Sequence, residues 1–492
     1  MNWTEEQKPV MSSLARLIRI IAFAGTGKTT TLVGYAKAHP AERILYICYN
    51  KSVELEARTR FPANVTAKTA HGLAYGAVGA QYNKKLTGNL RLTDIARLAN
   101  TSNWDLVKDI LGTLNNFVAS DDAEMSEDHF PRLKDKAAHT SRHRQHIDNA
   151  MGAARRIWGR MIDLDDTEAS ISHDGYLKVF SLRKPNLSLK FDTITIDESQ
   201  DINPVIGGIV RLQVGYGSKV IAVGDPHQQL YAFRGAEDAL AAPWLEKAET
   251  HFLTESFRFG PAAADVANIL LALKGETQTL KGKGQKTQIK TKLPAGLPHA
   301  AFLHRTVAGV IETALALLPT GKLCYWVGGI NSYNLSDLED LYYFRQRDFN
   351  AIKNHRLTRD FENYDQYRDV ADQSEDMEMM RLYKMVESHG DALPDLLDQL
   401  RRSSTSDELS AGYTLSTVHK SKGLQWDSVA ICEDFSYDPL DTQNKDPQRQ
   451  EDEINILYVA ATRAMKHLAV NSVILSIMQA HVLTHGSLKQ SA

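Results

Sequence analysis

Seven residues, Ala24-Gly25-Thr26-Gly27-Lys28-Thr29-Thr30, constrain the fold of this chain more than any others. A segment over 18–23 that reads as a buried strand leads into them, and a helical pattern over 29–37 leads out. A strand that ends in a glycine-bearing turn and restarts as a helix is the setting in which such a turn wraps phosphate. The glycines let backbone N–H groups point inward around phosphate oxygens. The helix N-terminus adds unpaired donors and a favourable dipole. In this reading Lys28 reaches the β- and γ-phosphates and Thr29 holds Mg²⁺. Ala22 stands where the common pattern has glycine, and it keeps the loop small.

Strand and helix go on alternating, with a strand over 43–49 and a helix over 53–60. Residues 86–178 then become helical and charged, with no clear strand. Short apolar strands return at 193–196 and 220–223 and run into Asp197 and Asp225. Carboxylates there lie at the carboxyl edge of an open sheet, where such folds hold ligands. A second α/β unit starts near residue 300, with strands over 301–303 and 323–327. A helical, highly charged segment over 335–409 interrupts it, and strands over 414–417, 428–432 and 468–473 complete it. The fold class is therefore α/β, two units each interrupted by a mainly helical insertion.

Charge excludes little. With 57 basic and 60 acidic residues the net charge is -3, so any nucleic-acid contact needs a local track of charge. Cys48, Cys324 and Cys432 are far apart and form no CxxC pair, which argues for reduced thiols rather than a zinc site. The polar N-terminus and the short apolar stretches indicate a cytoplasmic protein without a membrane span, nucleoid-associated if bacterial. Lys281, Lys283, Lys286, Lys290 and Lys292 read as a solvated basic loop. Trp158 reads as core, whereas Tyr342, Tyr343, Phe344, Arg345 and Arg347 suit either nucleic-acid contact or a helix packing its aromatics inward.

Two further clusters carry chemistry. In Asp197-Glu198 the tasks divide, the first residue binding the cation and the second deprotonating the attacking water. In the segment 223–236, Gln228 is placed to sense the γ-phosphate. Tyr231, Phe233 and Arg234 follow at once and suit base stacking, although such aromatics alone would suit core packing better.

Taken in order, these segments resemble the UvrD/Rep-like superfamily 1A DNA helicases. Trp3-Thr4-Glu5-Glu6-Gln7 resembles the family's Q motif, whose glutamine reads adenine. Tyr49-Asn50-Lys51-Ser52 resembles motif Ia, and Thr69-Ala70-His71 the next DNA-contacting motif. Leu253-Thr254-Glu255-Ser256-Phe257-Arg258 resembles motif IV, with an aromatic for adenine and an arginine for the γ-phosphate. The segment 417–424, containing His419, resembles motif V, and 453–464 resembles motif VI with Arg463 as an arginine finger. Segments 49–52, 173–178 and 417–424 look most like the helicase portion of F-box DNA helicases. No F-box segment precedes the Q motif, so ubiquitin-ligase docking is not expected.

The resemblance implies two RecA-like P-loop NTPase cores. Core 1A takes 1–75 and 173–260, with insertion 1B over 76–172; core 2A takes 261–330 and 411–492, with insertion 2B over 331–410. It implies ATP and Mg²⁺ between the cores, held by Gln7, residues 24–30, Phe257 and Gln425. The catalytic set is Lys28, Asp197, Glu198, Gln228, Arg258 and Arg463. Asn50, Lys51, Thr69, His71, Tyr231, Phe233, Arg234 and His419 would meet DNA. Gln425 departs from the family's glutamate, which contacts ribose, and leaves nucleotide preference open. The implied substrate is single-stranded DNA and its junctions with duplex, with 3′ to 5′ movement in repair, recombination or replication. Three activities remain open: a helicase, a translocase that strips DNA-bound proteins such as a recombinase, and a DNA-stimulated ATPase switch.

Overall fold

A computed structural model describes residues 3–131, 141–230, 238–374, 376–441 and 446–485. The chain divides into two compact units, Met1–Ala22 with Gly27–Leu253, and Phe23–Thr26 with Thr254–Ala492.

The first unit is built on six parallel strands: β1 (Leu17–Ala22), β2 (Ile44–Cys48), β3 (Val65–Thr69), β4 (Thr193–Ile196), β5 (Lys219–Gly224) and β6 (Glu249–Leu253). Their order across the sheet is β3-β2-β4-β5-β1-β6. Every residue of β2 and β4 is buried, as expected for parallel strands covered on both faces. That is why β2 reads in sequence as a near-continuous apolar run, while the threonines of β4 are buried as fully as its isoleucines. The glycine turn follows β1 and opens the helix Lys28–Ala38.

Between β3 and β4 the chain makes the helices Leu92–Ala99, Trp104–Ala119, Ser141–Ile162 and His173–Leu182. A two-residue ladder, Leu86–Thr87 with Ile171–Ser172, closes this excursion at its base. The region expected to hold no strand therefore holds this short one. Ile110, Leu114, Phe117 and Ile157 of the helices share one core with Leu45, Ile47, Ile194 and Ile196 of the sheet. Trp158 packs edge-on against Phe117 at 5.4 Å, in the core role expected of it.

Two buried lysines fasten this excursion. Lys85 donates to the carbonyls of Arg160, Asp163 and Asp166, where the helix Ser141–Ile162 ends. Lys178 donates to the carbonyls of Ser120 (2.8 Å) and Asp122 (2.5 Å), past the end of Trp104–Ala119, and lies over the Phe117 ring. Helix C-termini leave carbonyls without partners, and a cation satisfies them best. Burial pushes the Lys178 ammonium down to about 8 from 10.5. Lys178→Met should cost about 1–3 kcal/mol by stranding buried acceptors, read as a lower urea midpoint. The folded value lies below the ordinary one, so the unfolded chain binds the extra proton between about 8 and 10.5. The lysine's contribution should therefore rise with pH through that window, and a gap between wild type and variant that shrinks there would contradict this.

The second unit carries seven parallel strands: β7 (Gln288–Lys290), β8 (Ala300–His304), β9 (Cys324–Trp326), β10 (Ser404–Thr405), β11 (Tyr413–Thr417), β12 (Trp426–Ile431) and β13 (Ala464–Ala469). Their order is β7-β13-β12-β8-β11-β9-β10. Neighbours β9 and β10 flank a helical excursion made of Leu335–Gln346, Tyr364–Ser374, Met377–His389 and Leu393–Arg402, among others. In the first of these Phe344 is buried, Tyr342 and Tyr343 are half-buried, and the Arg345 guanidinium lies over the Tyr364 ring.

One strand expectation needs correction. The run 468–473 is not one strand, because β13 ends at Ala469 and the helix Ser472–His485 starts almost at once. Asn471 turns the chain there by accepting from the Ile474 amide, as a helix cap does. Cys48 and Cys324 are buried, Cys432 is half-buried, and all three are free thiols. Among the described residues no helix is long and apolar enough to cross a membrane.

Candidate functional site

In the glycine turn, Gly25 and Gly27 take positive φ angles of 75° and 83°, which side chains rarely adopt. Gly25 also lacks room, since a Cβ there would come within 2.8 Å of Arg258 Cβ. Its carbonyl accepts the Phe257 amide at 2.9 Å, and the Ala24 amide donates to the Tyr458 hydroxyl at 3.1 Å. Thr26 folds back on the Phe23 carbonyl, and the Thr30 hydroxyl accepts from Arg60. Gly27 caps the helix whose first residues are Lys28 and Thr29, and the Lys28 ammonium donates to the Ala22 carbonyl at 3.3 Å. Gln7 is buried beside this turn: a Cβ on Gly27 would meet its Nε2 at 3.3 Å.

At the end of β4 the Asp197 carboxylate is buried. Its Oδ2 accepts from Thr29 Oγ1 at 3.0 Å and from the Tyr46 hydroxyl at 2.6 Å, while Oδ1 accepts the Glu198 amide at 2.9 Å. Burial and then the neighbouring Glu198 charge push the Asp197 carboxyl up, against the opposing pull of Tyr46, Lys28 and Thr29. A bound cation would supply the charge that keeps it ionised. Thr29 and Asp197 offer oxygen donors only, which suits a hard divalent cation whose other ligands are phosphate and water. No cluster of three or more His, Cys, Asp or Glu side chains that could hold a metal ion occurs among the described residues.

Glu198 sits in the left-handed region at φ 53°, a strained position for a side-chain-bearing residue. Its Oε2 accepts from Gln200 at 2.6 Å, and Gln200 Oε1 accepts the Asp225 amide at 3.0 Å. Gln228 in turn donates to Asp225 Oδ2 at 2.6 Å. Gln200 and Asp225 are wholly buried, and a chain of hydrogen bonds through them joins half-buried Glu198 to Gln228. Gly224 leaves room for it, because a Cβ there would sit 2.3 Å from Gln200 Oε1. The structure thus brings Lys28, Thr29, Asp197, Glu198 and Gln228 to one edge of the first sheet. Sequence reasoning missed Tyr46 and the linking role of Gln200. A tyrosine inside an apolar strand reads as core, and its polar partner lies 151 residues away.

In the second unit, Arg258 donates from Nε to Gln425 Oε1 at 2.8 Å and from Nη1 to the Thr462 carbonyl at 3.0 Å. Gln425 and the motif IV arginine therefore hold each other. Phe257 is 51% exposed. Arg463 is buried and donates to the carbonyls of Val459 (2.9 Å) and Leu424 (3.1 Å). In the motif V turn, Lys420 donates to the Ser332 carbonyl at 2.7 Å and lies over the Tyr333 ring at 3.7 Å. His419 is half-buried in the same turn.

The expected DNA contacts divide. Asn50 and Thr69 cap the helices Lys51–Arg60 and Ala70–Ala77 through their side-chain oxygens. Lys51 pairs with buried Glu54, which also takes Arg58 and the Thr69 amide. His71 Nε2 lies 2.9 Å from Asp174 Oδ1, on the wall of a cleft of about 470 Å³ in the first unit. That cleft is also lined by Tyr49, Asn115, His173 and Asp197, so it reaches the acidic site. Tyr231, Phe233 and Arg234 lie outside the described residues. The five lysines over 281–292 are all exposed, but the segment is not one loop: Lys281 pairs in a two-residue strand with Glu255, and Lys290 ends β7.

Comparison with known proteins gives the same answer from both units. The model of the UvrD/REP helicase N-terminal domain matches residues 3–242, and that of the UvrD-like helicase C-terminal domain matches residues 322–473. F-box DNA helicase 1 of Gallus gallus is 34% identical over 95% of this chain and 49% of its own length. F-box DNA helicase protein 1 of Schizosaccharomyces pombe is 30% identical over 96% of this chain and 57% of its own length. ATP-dependent DNA helicase UvrD2 of Mycobacterium tuberculosis is 23% identical over 95% of this chain and 78% of its own length. The chain thus spans about half the length of the two F-box relatives.

Proposed function

This chain belongs to the UvrD/REP helicase family, and on that premise we propose that it is an ATP-driven motor on single-stranded DNA that separates strands at junctions. The observation that carries the reading is the Thr29–Asp197 contact beside the glycine turn, at the carboxyl edge of a parallel sheet. It joins a phosphate cradle to a cation site.

In this reading the turn amides and Lys28 bind the triphosphate, and Thr29 and Asp197 hold Mg²⁺. The ion, when bound, neutralises charge that builds on the β- and γ-oxygens. Glu198 takes the proton of the attacking water, and the Gln200–Asp225–Gln228 chain ties its position to the γ-phosphate. Arg258 and Arg463 supply positive charge to the transition state. Gln7 and Phe257 hold adenine, and Gln425 meets ribose while it positions Arg258. The core and insertion boundaries given above, 3′ to 5′ movement along Asn50, Lys51, Thr69, His71 and His419, and a role in repair or recombination all belong to the proposal.

The test is ATP hydrolysis with and without single-stranded DNA, beside Lys28→Ala. Strong stimulation by DNA is expected, with the variant reduced by at least about a hundredfold through loss of a preorganised charge. A well-folded wild type that hydrolyses ATP without any response to DNA would overturn the motor reading.

A further inference from the structure

We propose that Tyr46 is a positioning residue for the cation site, its hydroxyl fixing the Asp197 carboxylate in the orientation the ion requires. The inference rests on the reading that Thr29 and Asp197 serve a divalent cation. Both hydroxyls that Asp197 Oδ2 accepts come from other elements, Thr29 at 3.0 Å and Tyr46 at 2.6 Å. They differ in what holds them. Thr29 lies in the first turn of a helix beside the phosphate cradle, and an ion it binds would fix its oxygen. Tyr46 lies in the interior of β2, paired with Ala67 of β3 and Thr195 of β4, with its ring against Phe61 at 4.6 Å. It is wholly buried, so its donor is set by the sheet and stays in place whether or not an ion is bound.

With Oδ2 pinned by two donors and Oδ1 by the Glu198 amide, the carboxylate cannot turn about its own axis. Mg²⁺ demands near-ideal octahedral geometry and gives up water reluctantly, so it tolerates a wandering carboxylate poorly. Partners that orient a metal's ligands typically change affinity by about 10–100-fold when removed.

Tyr46→Phe keeps the ring and deletes only the donor. Binding of Mn²⁺ together with ADP, followed by electron paramagnetic resonance, should weaken about tenfold, and competing Mg²⁺ should weaken at least as much. Metal-free ADP binding in EDTA and the thermal midpoint should stay near wild type. Equal losses with and without metal would mean a merely structural tyrosine and overturn the inference, as would unchanged Mn²⁺ binding. Wild type that binds no Mn²⁺ with ADP would instead overturn the reading of the site itself. Should the phenylalanine variant not fold, 4-aminophenylalanine and 4-methylphenylalanine at position 46 match in volume, and only the first donates. Tight Mn²⁺ binding by the first alone supports the inference, and equal binding by both removes it.

Discussion

Arg463→Ala lowers kcat for ATP hydrolysis by about 10³–10⁵-fold, the range an arginine finger contributes to phosphoryl transfer. Binding of ADP changes little, because the finger's charge matters most where negative charge peaks. A second effect has to be separated from the first. Arg463 is buried and donates to Val459 O, Leu424 O and the Thr462 hydroxyl, so alanine strands buried acceptors. Stability should fall by about 1–3 kcal/mol as well. Arg463→Lys separates the two. It returns a positive charge but not the planar fork. Part of the lost stability should return while kcat stays low. A lysine variant that regains the full rate would mean that charge alone suffices, and an alanine variant with normal kcat would remove Arg463 from catalysis.

Glu198→Gln lowers kcat by about 10²–10⁴-fold, the usual contribution of a positioned base. Glutamine keeps the length and one acceptor oxygen, so the contact from Gln200 survives and the chain to Gln228 stays intact. The left-handed backbone at this position is unaffected by the exchange. ATP should therefore still bind, and DNA should still promote its binding, with turnover stalled before hydrolysis. The neighbouring Glu198 charge is also the second cause, after burial, that pushes Asp197 up. Its loss leaves burial as the main cause of that push. A variant that loses ATP binding along with turnover would show that Glu198 holds the nucleotide rather than activating water.

The strands that can be read from sequence are the ones buried on both faces. β2 is an almost unbroken apolar run, β5 is one after Lys219, β4 alternates Thr with Ile, and the carboxylates that follow β4 and β5 mark the sheet's ligand edge in the sequence itself. The ones that escape are edge strands. β3 carries Thr and Lys, β6 carries Glu, Thr and His, and β7 is Gln-Ile-Lys. An edge strand needs only half its surface covered, so its sequence shows neither a run nor a clean alternation. The site divides in the same way. Lys28, Thr29 and Asp197 belong to patterns whose spacing carries meaning. Tyr46, Gln200 and the Arg258–Gln425 pair depend on partners brought together only by folding. Asn50 and Thr69 read in sequence only as members of motifs that resemble DNA-contacting ones, and their capping of the helices Lys51–Arg60 and Ala70–Ala77 emerges with the fold.

The position of β1 has a consequence during synthesis. Its two ladder partners, β5 and β6, are encoded roughly two hundred residues later. At about 5–20 residues per second a ribosome needs roughly 10–40 s to deliver them. Through that interval the nascent chain carries Ile18, Ile20 and Ile21 with neither neighbour available. The glycine turn likewise cannot meet Asp197 until β4 emerges. The helices made in the meantime can pack among themselves, but the nucleotide site cannot form until nearly all of the first unit has left the exit tunnel. A chain stalled before residue 219 would thus be an open, sticky intermediate without a cradle for phosphate, and a natural client for a holding chaperone.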